Sequence, residues 1–526
     1  MVATFPKLRL SASSPTFSIR GQYNSILMVM SGLGANPSSG RIMRGLSPLL
    51  DEQNVDHVFL LAERKRSEPW RGEEGPLVKY TELVHWERKN KSGVYRGVTQ
   101  VNSGLTRDEV IQAFEYEPLH LIDWAARRMG VAVVSSDEPL RLIQLNIPKP
   151  WGSEGWFTGM EKRGVCVVRS TTGETELPYA IGIFPFPLLG DDKMPPILLK
   201  TLEPHPDPDY GDLYLEVHRE KWETYIVLEV SREAWADGTG YLRAGLAPGK
   251  ISEFQKQHGL KWEKELHKSM LAAIQSYEAV RKDIDSRMDK ALKKKGLDPA
   301  EPVGMELLKE LAAKIPKNLK ETEVKKKRDV EAFLGRIPLR EGDVVTLPPG
   351  VIHSLQHGVK VIEFQTPTYE RLIAMFTQKV LTQPHWDTVE ALKLMEKKHY
   401  THKPPRLIQD EGGVRIEGIV DFPQFGVQRI TLEQNTLFNQ ETAESNQYRL
   451  VYVIAGRGEL LLPAGGVIQL EQGRGLIIPA TMGKFIVSAQ ASSGLIYLEA
   501  VPTPKQKETQ TKPGMKFSEN GLMETW

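Results

Sequence analysis

Apolar and polar positions repeat with different periods in successive parts of the chain. Up to about residue 140, short apolar runs alternate with stretches of helical spacing. The runs are 26–30, 57–63 and 130–136, and the helix-like stretches are 41–52 and 107–129. Strands that alternate with helices predict an N-terminal α/β domain over residues 1–142. The polar stretch between residues 63 and 107 predicts a loop.

The pattern changes at about residue 145. Short apolar runs separated by turn residues, among them LPYAIGIFPF, PPILLKTLEP and TYIVLEV, predict an all-β region over 143–250. Helical periodicity takes over across 251–335, with a break at 296–304, and strands resume from 336 to 400 with helical pieces at 371–381 and 387–398. The segment 401–502 is again rich in strands, and 503–526 is a polar tail. The chain therefore predicts a mostly β protein with a helical insertion and an N-terminal α/β domain.

A glycine-rich loop, Gly32–Gly40, follows the first strand. A loop at this place is compatible with a phosphate cradle, but it lacks the Lys-Ser/Thr ending of a P-loop and does not fit the dinucleotide fingerprint. We therefore predict a plain turn between a strand and a helix.

Composition narrows the classes of function. The chain has 526 residues with a net charge of +1 and a single cysteine, Cys166. The balanced charge argues against a nucleic-acid partner, and the basic runs 293–295 and 325–328 are interspersed with acids, as on a solvated helix face. No apolar run reaches 18 residues, and one cysteine fits a reducing compartment. These features predict a cytoplasmic protein without a membrane partner.

Candidate metal ligands occur in two turn-and-strand segments. In 211–223, Glu216 and His218 are two residues apart, so on a strand their side chains point to the same side, and Glu223 begins the next apolar run. In 342–353, the pattern G-x5-P-x-G-x2-H places His353 after a turn. Imidazole and carboxylate groups together favour a divalent metal such as Zn, Mn, Fe or Ni.

The two segments resemble the paired signatures of the cupin (jelly-roll) barrel. The resemblance implies one metal-bearing barrel formed by 143–250 with 336–400, interrupted by the helical insertion 251–335. The turn pattern recurs in 473–484 without a following histidine. Residues 401–502 are accordingly expected to form a second cupin barrel without a metal.

Further motifs are similar to those of type I phosphomannose isomerases (mannose-6-phosphate isomerases). They are Lys149-Pro150-Trp151-Gly152, Leu198-Leu199-Lys200, Glu216-Val217-His218, Lys221-Trp222-Glu223, Glu363-Phe364-Gln365 and Thr368-Tyr369-Glu370-Arg371. The resemblance implies a metal-dependent aldose–ketose isomerase that converts mannose 6-phosphate to fructose 6-phosphate, with zinc as the first choice of metal. This chain departs from the family at Glu216, where the family has glutamine, and at Arg219, where it has proline. The loop before Arg371 is shorter than the family's and contains Pro367.

Two residues are catalytic candidates in this framework. Lys200 lies on the strand expected beside the metal strand, and it acts either near the reacting carbons or as a salt-bridge partner of Glu216 or Glu223. Arg371 is the candidate for contacting the phosphate or enediolate, because a guanidinium binds oxyanions through two hydrogen bonds. The alternative for Arg371 is a surface position on a helix over 371–381.

Two other functions fit the same barrel. The first alternative is a cupin that binds a sugar or sugar phosphate without converting it, in a regulatory or scaffold role. The second is an Fe(II) oxygenase, against which the extra carboxylate of Glu216 argues. The isomerase ranks first, the binding protein second and the oxygenase third.

Overall fold

The protein is mostly β, with 40% strand and 26% helix distributed over several sheets. The computed structural model describes residues 17–33, 38–39, 41–42, 55–72, 75–89, 92–190, 195–301, 303–442, 446–490 and 492–503. All but the first two residues of the predicted helix 41–52, most of the Gly32–Gly40 loop and all but the first residue of the tail lie outside these ranges.

The described part of the chain forms strands of 2 to 13 residues. In chain order they are β1 (Phe17–Arg20), β2 (Ser25–Leu33), β3 (His57–Ser67), β4 (Leu77–Lys89), β5 (Ser92–Val101), β6 (Val134–Ser135), β7 (Leu140–Ile143), β8 (Leu145–Lys149), β9 (Gly152–Trp156), β10 (Met160–Glu161), β11 (Gly164–Val165), β12 (Val167–Arg169), β13 (Glu174–Glu176), β14 (Leu198–Pro204), β15 (Leu215–Val217), β16 (Glu223–Val230), β17 (Gly240–Leu246), β18 (Leu334–Leu339), β19 (Val344–Leu347), β20 (His353–Leu355), β21 (Val359–Gln365), β22 (Leu372–Met375), β23 (Arg406–Glu411), β24 (Val414–Asp421), β25 (Phe425–Leu432), β26 (Leu437–Glu441), β27 (Arg449–Leu461), β28 (Val467–Glu471), β29 (Gly475–Ile478), β30 (Lys484–Ala489) and β31 (Leu495–Pro502).

The α-helices are 5 to 15 residues long, with one exception of 33 residues. They are α1 (Arg107–Tyr116), α2 (Leu121–Met129), α3 (Leu177–Ile183), α4 (Pro185–Leu189), α5 (Pro248–His258), α6 (Trp262–Lys294), α7 (Met305–Ala313), α8 (Lys317–Glu331) and α9 (Thr388–Leu394). Single turns of 3-10 helix occur at Pro69–Arg71, Pro118–His120 and Gly259–Lys261. Among the helices of the described residues, none is both long enough and apolar enough to span a membrane.

The chain divides into two compact units. One comprises Met1–Leu145, Phe157–Ile197 and Pro405–Trp526, and the other comprises Asn146–Trp156 and Leu198–Pro404. The finer division into five segments, with two cupin barrels, stays a prediction.

The first unit contains a six-stranded sheet in the order β1 to β6. Its neighbouring strands are antiparallel except for the parallel pair β2–β3. One face is covered by α1 and α2, whose buried side chains pack on strand residues such as Leu27, Phe59 and Leu83. The predicted helix 107–129 is two helices, because Pro118 cannot donate a backbone hydrogen bond within a helix.

The predicted loop between residues 63 and 107 is wrong, since β4 and β5 lie there. Polar residues obscured the strands in the sequence. Glu82 on β4 is buried against the Arg64 guanidinium at 2.6 Å, and His85 is buried with its Nε2 3.1 Å from Nδ1 of His57. Buried polar residues that satisfy one another break the simple alternation of apolar and polar positions that marks a strand.

A twelve-stranded sheet completes the first unit, joining β7, β12 and β13 to β23–β31 around a separate apolar core. The strand predicted for LPYAIGIFPF is also wrong, because α3 and α4 occupy it. Both helices carry proline in their first turn and are buried along most of their length. A short apolar run that is buried on all sides has no periodicity to separate helix from strand.

The second unit has three layers. A six-stranded sheet (β19-β16-β21-β14-β9-β8) and a five-stranded sheet (β18-β17-β20-β15-β22) share a core that includes Tyr225, Leu242, Val345 and Ile373. The other face of the five-stranded sheet is covered by α5, α6, α8 and α9, as the helical periodicity of 251–335 predicts. The helix predicted at 371–381 is wrong, because β22 begins at Leu372.

A buried ion pair joins the helical layer to the chain just before β15. Asp212 accepts hydrogen bonds from Lys327 Nζ at 2.7 Å, from His357 Nδ1 at 2.8 Å and from the His357 backbone N–H at 3.0 Å. Burial raises the pKa of Asp212, but the ammonium of Lys327 and the ring of His357 outweigh it and hold that pKa below its ordinary value. Helix α8 is thereby fixed to the segment that leads into the ligand strand.

Replacing Lys327 with methionine tests this contact. We expect Lys327→Met to lower the free energy of unfolding by about 2 kcal/mol at pH 7, because a buried carboxylate loses a charged partner. Since the pKa of Asp212 is depressed in the folded state, the wild-type advantage is present above about pH 4 and declines as the pH falls below it. Urea titrations at several pH values measure this. The control is Lys325→Met, at an exposed position of the same helix, which changes the free energy of unfolding by less than about 0.5 kcal/mol. Equal effects of the two substitutions would contradict a stabilising Lys327–Asp212 ion pair.

Candidate metal centre

Strand pairing brings three ligand-type side chains together. Glu216 lies at the middle of β15, directly opposite His353, the first residue of β20, in the antiparallel register. His218 follows β15 on the same side as Glu216. Donor atoms of Glu216, His218 and His353 all lie within 4.8 Å of one another, the one such group of three found among the described residues. The spacing of Glu216 and His218, and the turn before His353, predict this grouping.

The turn before His353 holds the two ligand segments in place. Gly350 has a φ of 84°, which favours glycine, and its N–H donates to the carbonyl oxygen of His218 at 2.8 Å. The Pro-Pro-Gly turn therefore positions His353 and also contacts His218.

Both imidazoles are oriented by backbone carbonyls. His218 Nδ1 lies 2.8 Å from the carbonyl oxygen of Glu370, and His353 Nδ1 lies 2.9 Å from that of Val351. A proton on each Nδ1 leaves Nε2 as the metal-binding atom, an arrangement usual for histidine ligands. His218 Nε2 and Glu216 Oε2 are buried and have no hydrogen-bond partner. Buried polar atoms without partners are costly, so this donor set fits a divalent metal ion.

Glu223, the fourth predicted ligand, enters from the facing sheet. Its Oε1 lies 3.5 Å from His218 Nε2, and its Oε2 lies 3.2 Å from His353 Nε2. Two ligands of a tetrahedral ion at about 2.1 Å are separated by roughly 3.4 Å, so these distances suit a shared metal. The Lys221 ammonium, however, lies 2.5 Å from Glu223 Oε1. Glu223 is not part of the group of three, and its role as a ligand stays a prediction.

Burial and the charge of Lys221 shift the pKa values of the groups at the site. Burial raises the pKa of Glu223, but the neighbouring ammonium of Lys221 holds it well below its ordinary value. Burial and the same ammonium lower the pKa of His218, which keeps its ring neutral. Burial also lowers the pKa of His353, but the hydrogen bond to Glu223 outweighs this and raises it. A metal ion at His353 therefore competes with a proton.

Lys200 lies on β14, and its ammonium pairs with Glu363 on β21 at 3.2 Å. The predicted salt-bridge partners were Glu216 or Glu223; these carboxylates act on Lys200 through their charge, but the ion pair is with Glu363. Burial lowers the pKa of Lys200, yet the surrounding carboxylates raise it overall. Burial raises the pKa of Glu363 well above its ordinary value. Sequence reasoning noted Glu363 only as part of a motif.

Arg371 is a half-buried residue immediately before β22, so the alternative of a surface arginine on a helix is wrong, while its anion-binding role stays a prediction. Its guanidinium lies over the ring of Tyr214, 4.6 Å from the centroid, and donates to Thr382 Oγ1 at 2.9 Å. Arg371 Nε is buried and has no hydrogen-bond partner. Burial lowers the pKa of Arg371, but the charge of Glu216 outweighs it and raises that pKa overall.

Glu370 supports the ligand strand through hydrogen bonds that the sequence does not indicate. Its carboxylate accepts from the N–H of Arg219 at 2.7 Å and from the N–H of Glu220 at 3.1 Å, while its carbonyl oxygen orients His218. One residue thus holds the turn after the ligand strand and sets the position of Arg371 next to it. The available signal was the glutamate immediately before Arg371 in the motif 368–371.

No protein-family model matches the sequence, and no curated protein matches it. The fold is similar to that of several solved structures. The mannose 6-phosphate isomerase from Bacillus subtilis is 15% identical with a TM-score of 0.47, and the match covers 69% of this chain and 99% of that one. A mutant of phosphomannose isomerase from Salmonella typhimurium is 12% identical with a TM-score of 0.45, and the match covers 70% of this chain and 100% of that one. A putative mannosephosphate isomerase from Archaeoglobus fulgidus is 12% identical with a TM-score of 0.39, and the match covers 70% of this chain and 98% of that one. At these identities and TM-scores, activity has to be argued from the residues of the site.

Removing either imidazole tests the metal group. We expect His218→Ala and His353→Ala each to weaken zinc binding by at least ~100-fold, since even the loss of an orienting partner costs 10–100-fold. Competition with a chromogenic chelator measures the affinity, and elemental analysis gives the content of purified protein. His385→Ala, at an exposed histidine, keeps wild-type affinity. Unchanged zinc binding in both ligand variants would refute the site.

Removing the Glu370 side chain tests its positioning role. We expect Glu370→Ala to weaken zinc binding roughly 10-fold to 100-fold, because the turn that orients His218 loses its acceptor. Glu370→Gln keeps one acceptor oxygen and recovers part of that loss, which a role in stability alone would not produce. The exposed neighbour Glu220→Gln serves as the control. If Glu370→Ala binds zinc as tightly as this control does, the residue does not position the ligand.

Proposed function

We propose that the protein is a metal-dependent aldose–ketose isomerase that acts on a sugar phosphate, with mannose 6-phosphate as the first substrate and fructose 6-phosphate as its product. The observation that carries the proposal is the convergence of two kinds of group at one place. Glu216, His218 and His353 form a group of metal ligands, and the charges of Glu216 and Glu223 act on a buried Lys200–Glu363 pair. The motif resemblance to type I phosphomannose isomerases supports the same reaction.

Isomerisation moves a proton between C1 and C2 through a cis-enediolate, so negative charge develops on the two substrate oxygens. A divalent metal held by Glu216, His218 and His353, with Glu223 as a fourth ligand, would supply Lewis-acid polarisation of those oxygens. Zinc suits mixed imidazole and carboxylate ligands, and Mn, Fe and Ni are the alternatives.

Lys200 and Glu363 are the candidates for handling the proton. Lys200 Nζ is mostly buried and positively charged, so its ammonium can stabilise an anionic substrate oxygen in a site that excludes water. Glu363 is 1% exposed, forms an ion pair with Lys200, and has the Glu223 carboxylate beside it. A carboxyl group in this position is suited to accept and return a carbon-bound proton.

Arg371 is the candidate for anion binding. The stack on Tyr214 and the hydrogen bond to Thr382 fix the plane of the guanidinium and leave Nε without a partner. A rigid guanidinium with a free donor binds a phosphate or enediolate oxygen at a smaller entropic cost than a lysine. The charge of the Glu216 carboxylate also favours the cationic form of this arginine.

The alternative is a protein that binds a sugar phosphate without converting it. Two observations favour it. Glu216 brings a charge where the related motif has a neutral amide, which lowers the Lewis acidity of a bound metal. The Lys221 ammonium lies 2.5 Å from Glu223 and competes with the metal for that carboxylate.

An isomerase assay separates the two functions. We expect purified protein incubated with mannose 6-phosphate and Zn²⁺ or Mn²⁺ to form fructose 6-phosphate, followed by a coupled enzymatic assay. Binding of metal and sugar phosphate without turnover of any hexose or pentose phosphate would establish the binding protein instead.

Two variants assign the roles. Lys200→Met lowers kcat/KM by roughly 10²–10³-fold, because a charged group near the reacting carbons is lost. Arg371→Lys lowers it roughly 10-fold to 100-fold, mainly through KM, because one or two charge-assisted hydrogen bonds are lost. The matched controls are Lys360→Met, on the same strand as Glu363, and Arg336→Lys, an exposed arginine stacked on Tyr241. Controls that lose as much activity as the test variants would remove Lys200 and Arg371 from the mechanism.

A further inference from the structure

A cavity of about 230 Å³ lies within the second unit, among the helices and beside residues 148–150. It is lined by α6, α7, α8 and the segment 377–381 that follows β22. Its apolar wall includes Tyr277, Ile284, Met288, Leu308 and Ala312. None of the seven residues proposed as metal ligands or catalytic groups lines it. An apolar cavity of about 150 Å³ takes up benzene, so this one has room for a substituted aromatic ring.

Three of the cations around the cavity are compensated within the protein. Arg281 donates to Glu323 at 2.6 Å and to Asp285, and Lys379 donates to Asp289 at 2.9 Å. Lys327 is paired with Asp212. A charged ligand bound beside Arg281 would have to leave water without finding a free counter-charge there, which is costly in a buried site. The part of the cavity around Arg281 therefore disfavours a charged ligand. Of the other charged lining residues, Lys149 is paired with Glu154, Lys320 is half-buried, and Asp209 and Glu301 are exposed.

Two polar atoms at the cavity lack partners. Thr377 is 6% exposed and Arg281 is 7% exposed, and neither Thr377 Oγ1 nor Arg281 Nε has a hydrogen-bond partner. Both residues line the cavity. Each atom can donate a hydrogen, and buried donors without acceptors are uncommon in folded proteins. A ligand that carries a carbonyl or hydroxyl oxygen would satisfy them.

The wall of the cavity is continuous with Arg371. Thr377 to Leu381 form one side of it, and Thr382, the next residue, accepts the hydrogen bond from the Arg371 guanidinium. Lys379 further ties this segment to α6 and to the carbonyl of Pro299. A molecule in the cavity would therefore restrain the segment that fixes Arg371.

We propose that this cavity binds a small, uncharged and largely apolar molecule with a hydrogen-bond acceptor, and that its occupancy restrains the segment 377–382. The cavity is then a second ligand site, separate from the metal group. Its effect on turnover through Arg371 rests on the proposed isomerase function, whereas the binding itself does not.

Acetophenone is a suitable probe, because it is neutral, apolar and has one carbonyl acceptor. By titration calorimetry we expect it to bind the full-length protein with a Kd of about 1 mM or tighter. Benzoate, which has a similar size and a negative charge, gives no measurable binding. Absence of acetophenone binding, or equal binding of benzoate, would overturn the proposal.

Two variants locate the probe. Ala312→Phe fills the cavity and abolishes acetophenone binding, while Ala313→Phe, at the adjacent exposed position of α7, leaves it intact. Thr377→Val is nearly isosteric and weakens binding roughly 3-fold to 10-fold, because a hydrogen bond is lost. This variant keeps the test valid if Ala312→Phe does not fold. Acetophenone also slows amide hydrogen exchange over 377–382. Wild-type affinity in Ala312→Phe or Thr377→Val, or unchanged exchange in that segment, would contradict the site.

Discussion

The pairing of β15 with β20 is the constraint on which the candidate site depends. The antiparallel register sets Glu216 opposite His353, and the period of two along the strand sets His218 on the same side. Because side chains alternate between faces, a shift of one residue in this register would turn His353 away from Glu216. The Gly350 turn contributes to the register through its hydrogen bond to His218, and the Asp212 ion pair anchors the chain that enters β15.

The space between the two sheets of the second unit holds an unusual number of buried charges. Glu223 and Glu363 are each 1% exposed, and Lys221 is 6% exposed. Replacing a buried ion pair with apolar residues often leaves stability unchanged or raises it, so stability alone does not explain such a group. Strongly shifted pKa values concentrated in one place are typical of functional sites. Apolar side chains from other positions of the same two sheets form the core of this unit. The buried polar groups come from β15, β16, β20 and β21.

The sequence was informative where chemistry and spacing coincide. Glu216, His218 and His353 could be predicted because strand periodicity and a glycine turn are local properties. Arg371 was found by its motif, but its half-buried position beside Tyr214 depends on β22, which the sequence pattern suggested was a helix. The sequence motif predicts that Lys200 lies near the site. Its pairing with Glu363 depends on the register of β14 with β21, which no local pattern encodes.

Other features that the sequence does not predict also depend on contacts between distant parts of the chain. The strands β4 and β5 were obscured because Glu82 and His85 are buried with partners from β3, a tertiary arrangement that inverts the usual link between polarity and exposure. Glu370 acts through backbone N–H groups about 150 residues away in sequence, so its role becomes visible only when the two loops are seen together. Long-range hydrogen bonds of this kind leave no periodic signal in the sequence.

Anomalous diffraction from zinc-soaked crystals would decide whether the three side chains form one metal site. Data collected above and below the zinc edge should give one strong peak in each chain, about 2.0–2.2 Å from Nε2 of His218, Nε2 of His353 and a carboxylate oxygen of Glu216. A peak bound through Nδ1, a peak elsewhere in the molecule, or no peak at saturating zinc would contradict the metal centre and the function derived from it.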